Sequence, residues 1–268
     1  MAAAKRPRKI ALALYTVRDH CEEPRQIAQT FRKVREIGYE GIELSARGVM
    51  EMDPPDVRKM AADAGLDIVG THVGLQALRD DLPAQIDRLH GWWFPYATIP
   101  YLGEEEWNKP GGWKRLAKEF TRIGKKLAAE GIRLQYHNHH FEFNRVGARG
   151  GRGGQVGLAV LFENSDPAVV GSQLDLAWIA RGGGDPTAWA RWLKGRAEQV
   201  HAKDWGIVGR EPTWMPIGEG NMNWPEILKA CRKAGVKHYL VEQDNCPTTS
   251  SEFKAAEISY RNLREFGL

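Results

Sequence analysis

Residues 134–143 read LQYHNHHFEF, three histidines and a glutamate gathered at the end of an apolar run. Imidazoles and carboxylates crowded in this way either move protons or hold a metal ion. Elsewhere the same side-chain types close other short apolar runs: Glu43 in GIELS, His72 in GTHVG, Asp175 in QLDLAW, His201 and Lys203 in VHAKDW, and Glu242 and Asp244 in VEQDN. Strand alternation puts His137 with His139, His201 with Lys203, and Glu242 with Asp244 on shared faces.

The elements that must position these residues alternate along the whole chain. Strand-like runs are KIALALYTV, YEGIELS, DIVGTHVGL, YATIPYL, GIRLQYHNH, VVGSQLDL, EQVHAKDW and HYLVEQDN. Between them lie helical patterns such as PRQIAQTFRKVREIG, DPPDVRKMAADAG, GGWKRLAKEFTRIGKKLAAEG, DPTAWARWLKGRAEQ and NWPEILKACRKAG, several closed by a glycine. Strand-then-helix units in this number, over 268 residues, fit an α/β protein with the (β/α)8 TIM-barrel fold. A doubly wound sheet is the competitor, but it calls for a glycine-rich turn after the first strand, where YTVRDH stands. The expectation is one barrel domain over residues 1–268, with 1–8 as a flexible extension.

In such a barrel, chemistry gathers at the C-terminal ends of the strands, which is where the polar residues fall. Unpaired buried groups such as Glu142, Asp175, His201 and Glu242 would be costly without a cation among them. Three oxygen donors and one nitrogen favour Mn²⁺ or Mg²⁺, with Zn²⁺ or Co²⁺ as alternatives. Taken singly, the residues have plainer readings: His72 as a hydrogen-bonded core histidine, Glu43 as half of a strand-end ion pair, His140 as a solvated loop residue. Trp178, Trp205, Trp214 and Trp224 lie at or beyond the last three strands, where their faces suit either a sugar or loop packing.

Composition narrows the rest. The net charge of +4 is spread over interspersed residues, and the biased stretch GARGGRGGQVG reads as a surface loop, so no nucleic-acid partner is expected. Cys21, Cys231 and Cys246 have no paired spacing, which argues against a disulfide framework or a thiolate metal site. The apolar runs are too short to span a bilayer, and the basic start followed by a brief apolar run reads as a strand rather than a secretion signal. A cytoplasmic protein is expected.

Taken together, YTVRDH, GYEGIELS, GTHVG, YHNHHFEF, LDLAW, VHAKDW and VEQD resemble the sugar phosphate isomerase/epimerase family with the xylose isomerase-like barrel. That family also contains inosose dehydratase-like and C-glycoside deglycosidase-like members. The resemblance implies one divalent metal held by Glu142, Asp175, His201 and Glu242. His137 and His139 lie nearer the strand end, so the first ligand stays open among these three residues. It also implies a carbohydrate substrate and a homo-oligomer.

Where epimerase members often carry a histidine three residues after the aspartate, this chain has Trp178, and the multi-metal cluster of the DNA-repair cousins cannot be completed. The reaction expected is isomerisation or epimerisation through a metal-stabilised enediolate, with Glu142 and Glu242 flanking the substrate and His139 or His137 as helper base. His72, Lys203, Glu43, Trp178 and Trp205 are the expected substrate contacts, the first two at a developing oxyanion or a phosphate. The alternative is a metal-dependent lyase of the dehydratase or keto-glycoside-cleaving kind. An endonuclease and a non-catalytic sugar-binding barrel are more distant readings.

Overall fold

The computed structural model describes residues 9–146 and 154–268. The expected N-terminal extension, along with Arg149 and Arg152, therefore lies outside the described residues. Eight parallel strands form one sheet: β1 (Lys9–Ala13), β2 (Gly41–Leu44), β3 (Asp67–Thr71), β4 (Tyr96–Ile99), β5 (Arg133–His137), β6 (Val170–Asp175), β7 (Gln199–Ala202) and β8 (His238–Val241). Their order is β3-β2-β1-β8-β7-β6-β5-β4, and a single bridge between His72 and Thr98 brings the two end strands together. The result is a TIM barrel, as the alternating sequence pattern demands.

Local chemistry explains why helices intervene. Pro24, Pro54, Pro83, Pro186 and Pro225 stand in the first turns of their helices, where a missing N–H costs nothing. The helix Pro24–Ile37 begins with a reciprocal capping box between Glu23 and Gln26 and stops at Gly38, whose φ of 122° suits glycine. It buries Ile27, Phe31 and Val34 against the barrel, the 3.6-residue stripe that the sequence carries. Strands covered on both faces must be apolar outward, and Ile42, Leu44, Ala97, Ile99, Leu134, Leu174 and Val200 are all fully buried.

The lumen is unusual in being polar. Glu43, Thr98, Gln135, Gln173, Gln199 and His201 are all buried without exposure, and their hydrogen bonds cross the barrel. Gln173 Nε2 donates to Glu43 Oε1 at 2.7 Å and to Gln199 Oε1 at 3.3 Å, while the Gln199 amide donates to the carbonyl of Val69. These cross-barrel bonds offset the cost of burying Glu43, Gln173 and Gln199.

Among the described residues two antiparallel pairs decorate the barrel, a hairpin of Asp204–Val208 with Glu211–Met215 and a short pairing of Arg145–Val146 with Gln155–Val156. Among the described residues no helix is long and apolar enough to cross a membrane. All three cysteines are free.

Candidate functional site

The side chains that converge are delivered at or just beyond the ends of strands. Asp175 ends β6 and caps the following helix, its Oδ1 accepting from the N–H of Trp178 at 2.8 Å, which leaves Oδ2 facing the lumen. Asn138 clamps the ends of β5 and β6 together, accepting from the N–H of Asp175 at 3.1 Å and donating to its carbonyl at 3.3 Å. Gly70 makes room for Glu43, because a Cβ there would fall 2.7 Å from Glu43 Oε1.

These placements bring one ligand atom each from His137, Asp175, His201 and Glu242 within 4.8 Å of one another, all four residues being buried. Three of the four ligands expected from the sequence are therefore together, and His137 stands with them. Glu142 is not in the group. Its carboxylate is fully buried where Tyr136 Oη donates to Oε1 at 2.5 Å and the His139 N–H donates to Oε2 at 2.9 Å. Tyr136 points to the helix-facing side of β5, touching the ring of Phe120, so its hydroxyl draws Glu142 behind the strand.

His201 lies between two carboxylates, with Nε2 2.9 Å from Glu43 Oε2 and Nδ1 2.9 Å from Glu242 Oε2. Lys203 Nζ meets three, at 2.7 Å from Glu242, 2.9 Å from Asp244 and 3.1 Å from Asp175. His137 directs Nδ1 to Gln173 Oε1 at 3.2 Å, which as a donor contact leaves Nε2 with its lone pair toward Asp175. His72 contacts Gln173 at 3.4 Å and Glu43 at 3.3 Å, so it sits beside the group rather than alone in a core.

Burial and charge set the protonation. Burial works against a charged His201, but Glu43 and Glu242 overcome it and raise the imidazole to about 10. Burial likewise opposes the Lys203 ammonium, and Asp175, Glu242 and Asp244 more than restore it. Against the upward push of burial, Lys203 and His201 hold Glu242 well below the usual carboxylate range. Burial and the nearby His201 keep His137 neutral, while burial and Lys203 drop His139 to about 3. Burial lifts Asp175 to about 6 and Glu142 to about 7.

The cluster pairs four carboxylates, Glu43, Asp175, Glu242 and Asp244, with the cations of Lys203 and His201, leaving two negative charges over. Asp175 Oδ2 is buried and faces the Lys203 ammonium at 3.1 Å, an ion pair without hydrogen-bond alignment. A negative surplus, converging carboxylate oxygens and a neutral imidazole are what a divalent ion requires, so these residues could hold one.

Aromatic side chains roof the cluster. Lys203 Nζ lies 5.5 Å from the Trp178 ring and 5.1 Å from that of Trp214, and those two indoles meet edge to face at 4.7 Å. His139 packs among Tyr101, Phe141 and Trp178, with its Nδ1 buried and unpartnered among the described residues. Trp205 contributes an indole whose ring centroid lies 5.9 Å from the Arg181 guanidinium and whose N–H is unpartnered among the described residues. Trp224 is elsewhere: it is buried, and its Nε1 donates to Asp204 at 2.7 Å. His140 is exposed and stacked on Trp178.

Sequence reasoning did not assign Gln173, Asn138 or Asp204. Gln173 could have been found, since it sits two residues before Asp175 on the same strand face.

A family model described as xylose isomerase-like TIM barrel matches residues 31–265. The chain belongs to this family. Among solved structures, the sugar phosphate isomerase/epimerase from Parabacteroides distasonis ATCC 8503 is 24% identical with a TM-score of 0.81, covering 98% of this chain and 96% of that one. The D-allulose 3-epimerase from Methylomonas sp. is 14% identical at a TM-score of 0.69, covering 99% and 100%. A probable 3-DHS dehydratase from Bacillus anthracis is 15% identical, also at 0.69, covering 96% and 98%. Among curated proteins no sequence matches.

Proposed function

We propose that this chain is a divalent-metal-dependent isomerase or epimerase that acts on a sugar by proton transfer at the carbon beside its carbonyl. The observation that carries the reading is the convergence of His137, Asp175, His201 and Glu242 at the strand ends. Membership of the xylose isomerase-like family supports it, as does the likeness to structures named as sugar epimerases.

In this reading His137, Asp175, Glu242 and His201, which must give up a ring proton to do so, hold the ion, Mn²⁺ first, with Zn²⁺, Co²⁺ and Mg²⁺ as alternatives. Two imidazoles and two carboxylates make a slightly softer set than three carboxylates and one imidazole. When bound, the ion polarises the substrate carbonyl and makes the neighbouring C–H acidic. Glu43, on His201 Nε2, fixes the orientation of that ring, and Gln173 does the same for His137.

His139 is the side chain we assign to the proton. Its Nδ1 is buried and has no partner among the described residues, and its ring centroid lies 4.9 Å from that of His137. Glu142 acts through it, accepting the His139 N–H and so fixing the turn that aims the imidazole. Glu242 faces the substrate from the β8 side. The Trp178 and Tyr101 faces pack against sugar C–H groups, with His72, Lys203 and Trp205 at the edge of the same site.

The test is deuterium exchange. The metal-loaded protein is incubated in D₂O with a panel of ketoses and keto-sugars and followed by proton NMR. Loss of the signal beside the carbonyl, abolished by chelator and by His139→Ala, is the expected result. Loss of a substituent with a new near-ultraviolet enone band would establish the lyase reading instead, and no exchange across the panel would contradict proton transfer.

A further inference from the structure

The carboxylate cluster already contains a cation that belongs to the chain. Lys203 is 1% exposed, and its Nζ is within 3.1 Å of an oxygen on each of Asp175, Glu242 and Asp244. Asp175 and Glu242 are also two of the four residues whose ligand atoms converge, whereas Asp244 is not. The ammonium thus stands on the carboxylates that an incoming ion would need. Two cations cannot share those carboxylates without mutual repulsion in a desolvated site.

Three features let the lysine yield its place without leaving. Its four-carbon stem is flexible and its ammonium has three rotatable donors. Asp244, at the outer side of the group with a side chain 28% exposed, offers a perch that is not itself a converging ligand. The faces of Trp178 and Trp214 at 5.5 and 5.1 Å favour a cation anywhere beneath them.

We propose that Lys203 is a placeholder cation. In the metal-free protein it neutralises Asp175 and Glu242, and when a divalent ion binds it withdraws to Asp244. It therefore sets the affinity for the ion by direct competition. This rests on the reading that His137, Asp175, His201 and Glu242 hold a metal.

Calorimetric titration of chelator-treated protein with Mn²⁺ and Zn²⁺ tests it. Lys203→Met should bind at least about tenfold tighter than the wild type, the size of an ordinary coupling between two sites. Asp244→Asn, which removes the perch but keeps the competitor, should bind more weakly, and that loss should vanish in the Lys203→Met background. Equal or weaker binding by Lys203→Met, beside a wild type that binds, overturns the placeholder and leaves the metal site standing. No binding in any chain overturns both. Where Lys203→Met does not fold without metal, Lys203→Gln takes its place: tighter binding supports the proposal, and equal or weaker binding overturns it.

Discussion

Glu142 shows how burial and position settle what a carboxylate does. Its two oxygens accept from Tyr136 Oη and the His139 N–H, yet desolvation still lifts it from 4.5 to about 7. A carboxyl raised on folding costs stability as pH climbs from its unfolded value to its folded one, because the unfolded chain gives up the proton first. In the metal-free protein, the wild type should therefore lose ground relative to Glu142→Gln between pH 4.5 and about 7, measured as the difference in urea midpoints at each pH. A constant difference across that window would mean that the carboxylate is not desolvated as described. The cluster of histidines and acids was legible in the sequence, but this residue's partner was not. Choosing His137 over Glu142 as the group facing Asp175 depends on a tyrosine hydroxyl on the opposite side of the strand.

At the scale of elements, the strand runs read from the sequence all lie on barrel strands, because fully covered parallel strands must be nearly continuous in apolar residues. Their ends were less legible. KIALALYTV stops being a strand at Ala13, and Leu14–His20 turns as a 3₁₀ helix. EQVHAKDW looks like one strand but breaks after Ala202, where the hairpin of Asp204–Val208 and Glu211–Met215 begins. The cause is non-local: the Asp204 carboxylate accepts from the N–H groups of Trp205 and Gly218 and from Trp224 Nε1. The site depends equally on a clamp between elements. Asn138→Ala removes the two side-chain hydrogen bonds that join the end of β5 to the end of β6 and takes from the buried Asp175 N–H its side-chain acceptor, a loss of roughly 1–3 kcal/mol. Chemical denaturation measures this directly; a change under ~0.5 kcal/mol, the size of an ordinary surface substitution, would mean that the clamp contributes little.

The whole molecule is a barrel whose lumen carries polar groups from wall to wall and whose net charge of +4 hides an acid-rich mouth. The overall charge therefore says little about the ligand, while the local surplus of negative charge says much. Closure between β3 and β4 through the bridge at His72 and Thr98 also places one of the mouth histidines on the seam where the barrel closes. Everything described at the mouth, from the glutamine contacts beneath to the indole roof above, holds His137, Asp175, His201 and Glu242 toward one point. The most direct test is the metal content of purified, metal-reloaded protein by mass spectrometry, for the wild type, His137→Ala, His201→Ala and Glu142→Gln. The account predicts about one divalent ion per chain in the wild type and Glu142→Gln, and its loss from both histidine variants. Ion retained by His137→Ala but lost from Glu142→Gln would transfer the first ligand to Glu142, and no ion in any of the four would contradict the metal centre itself.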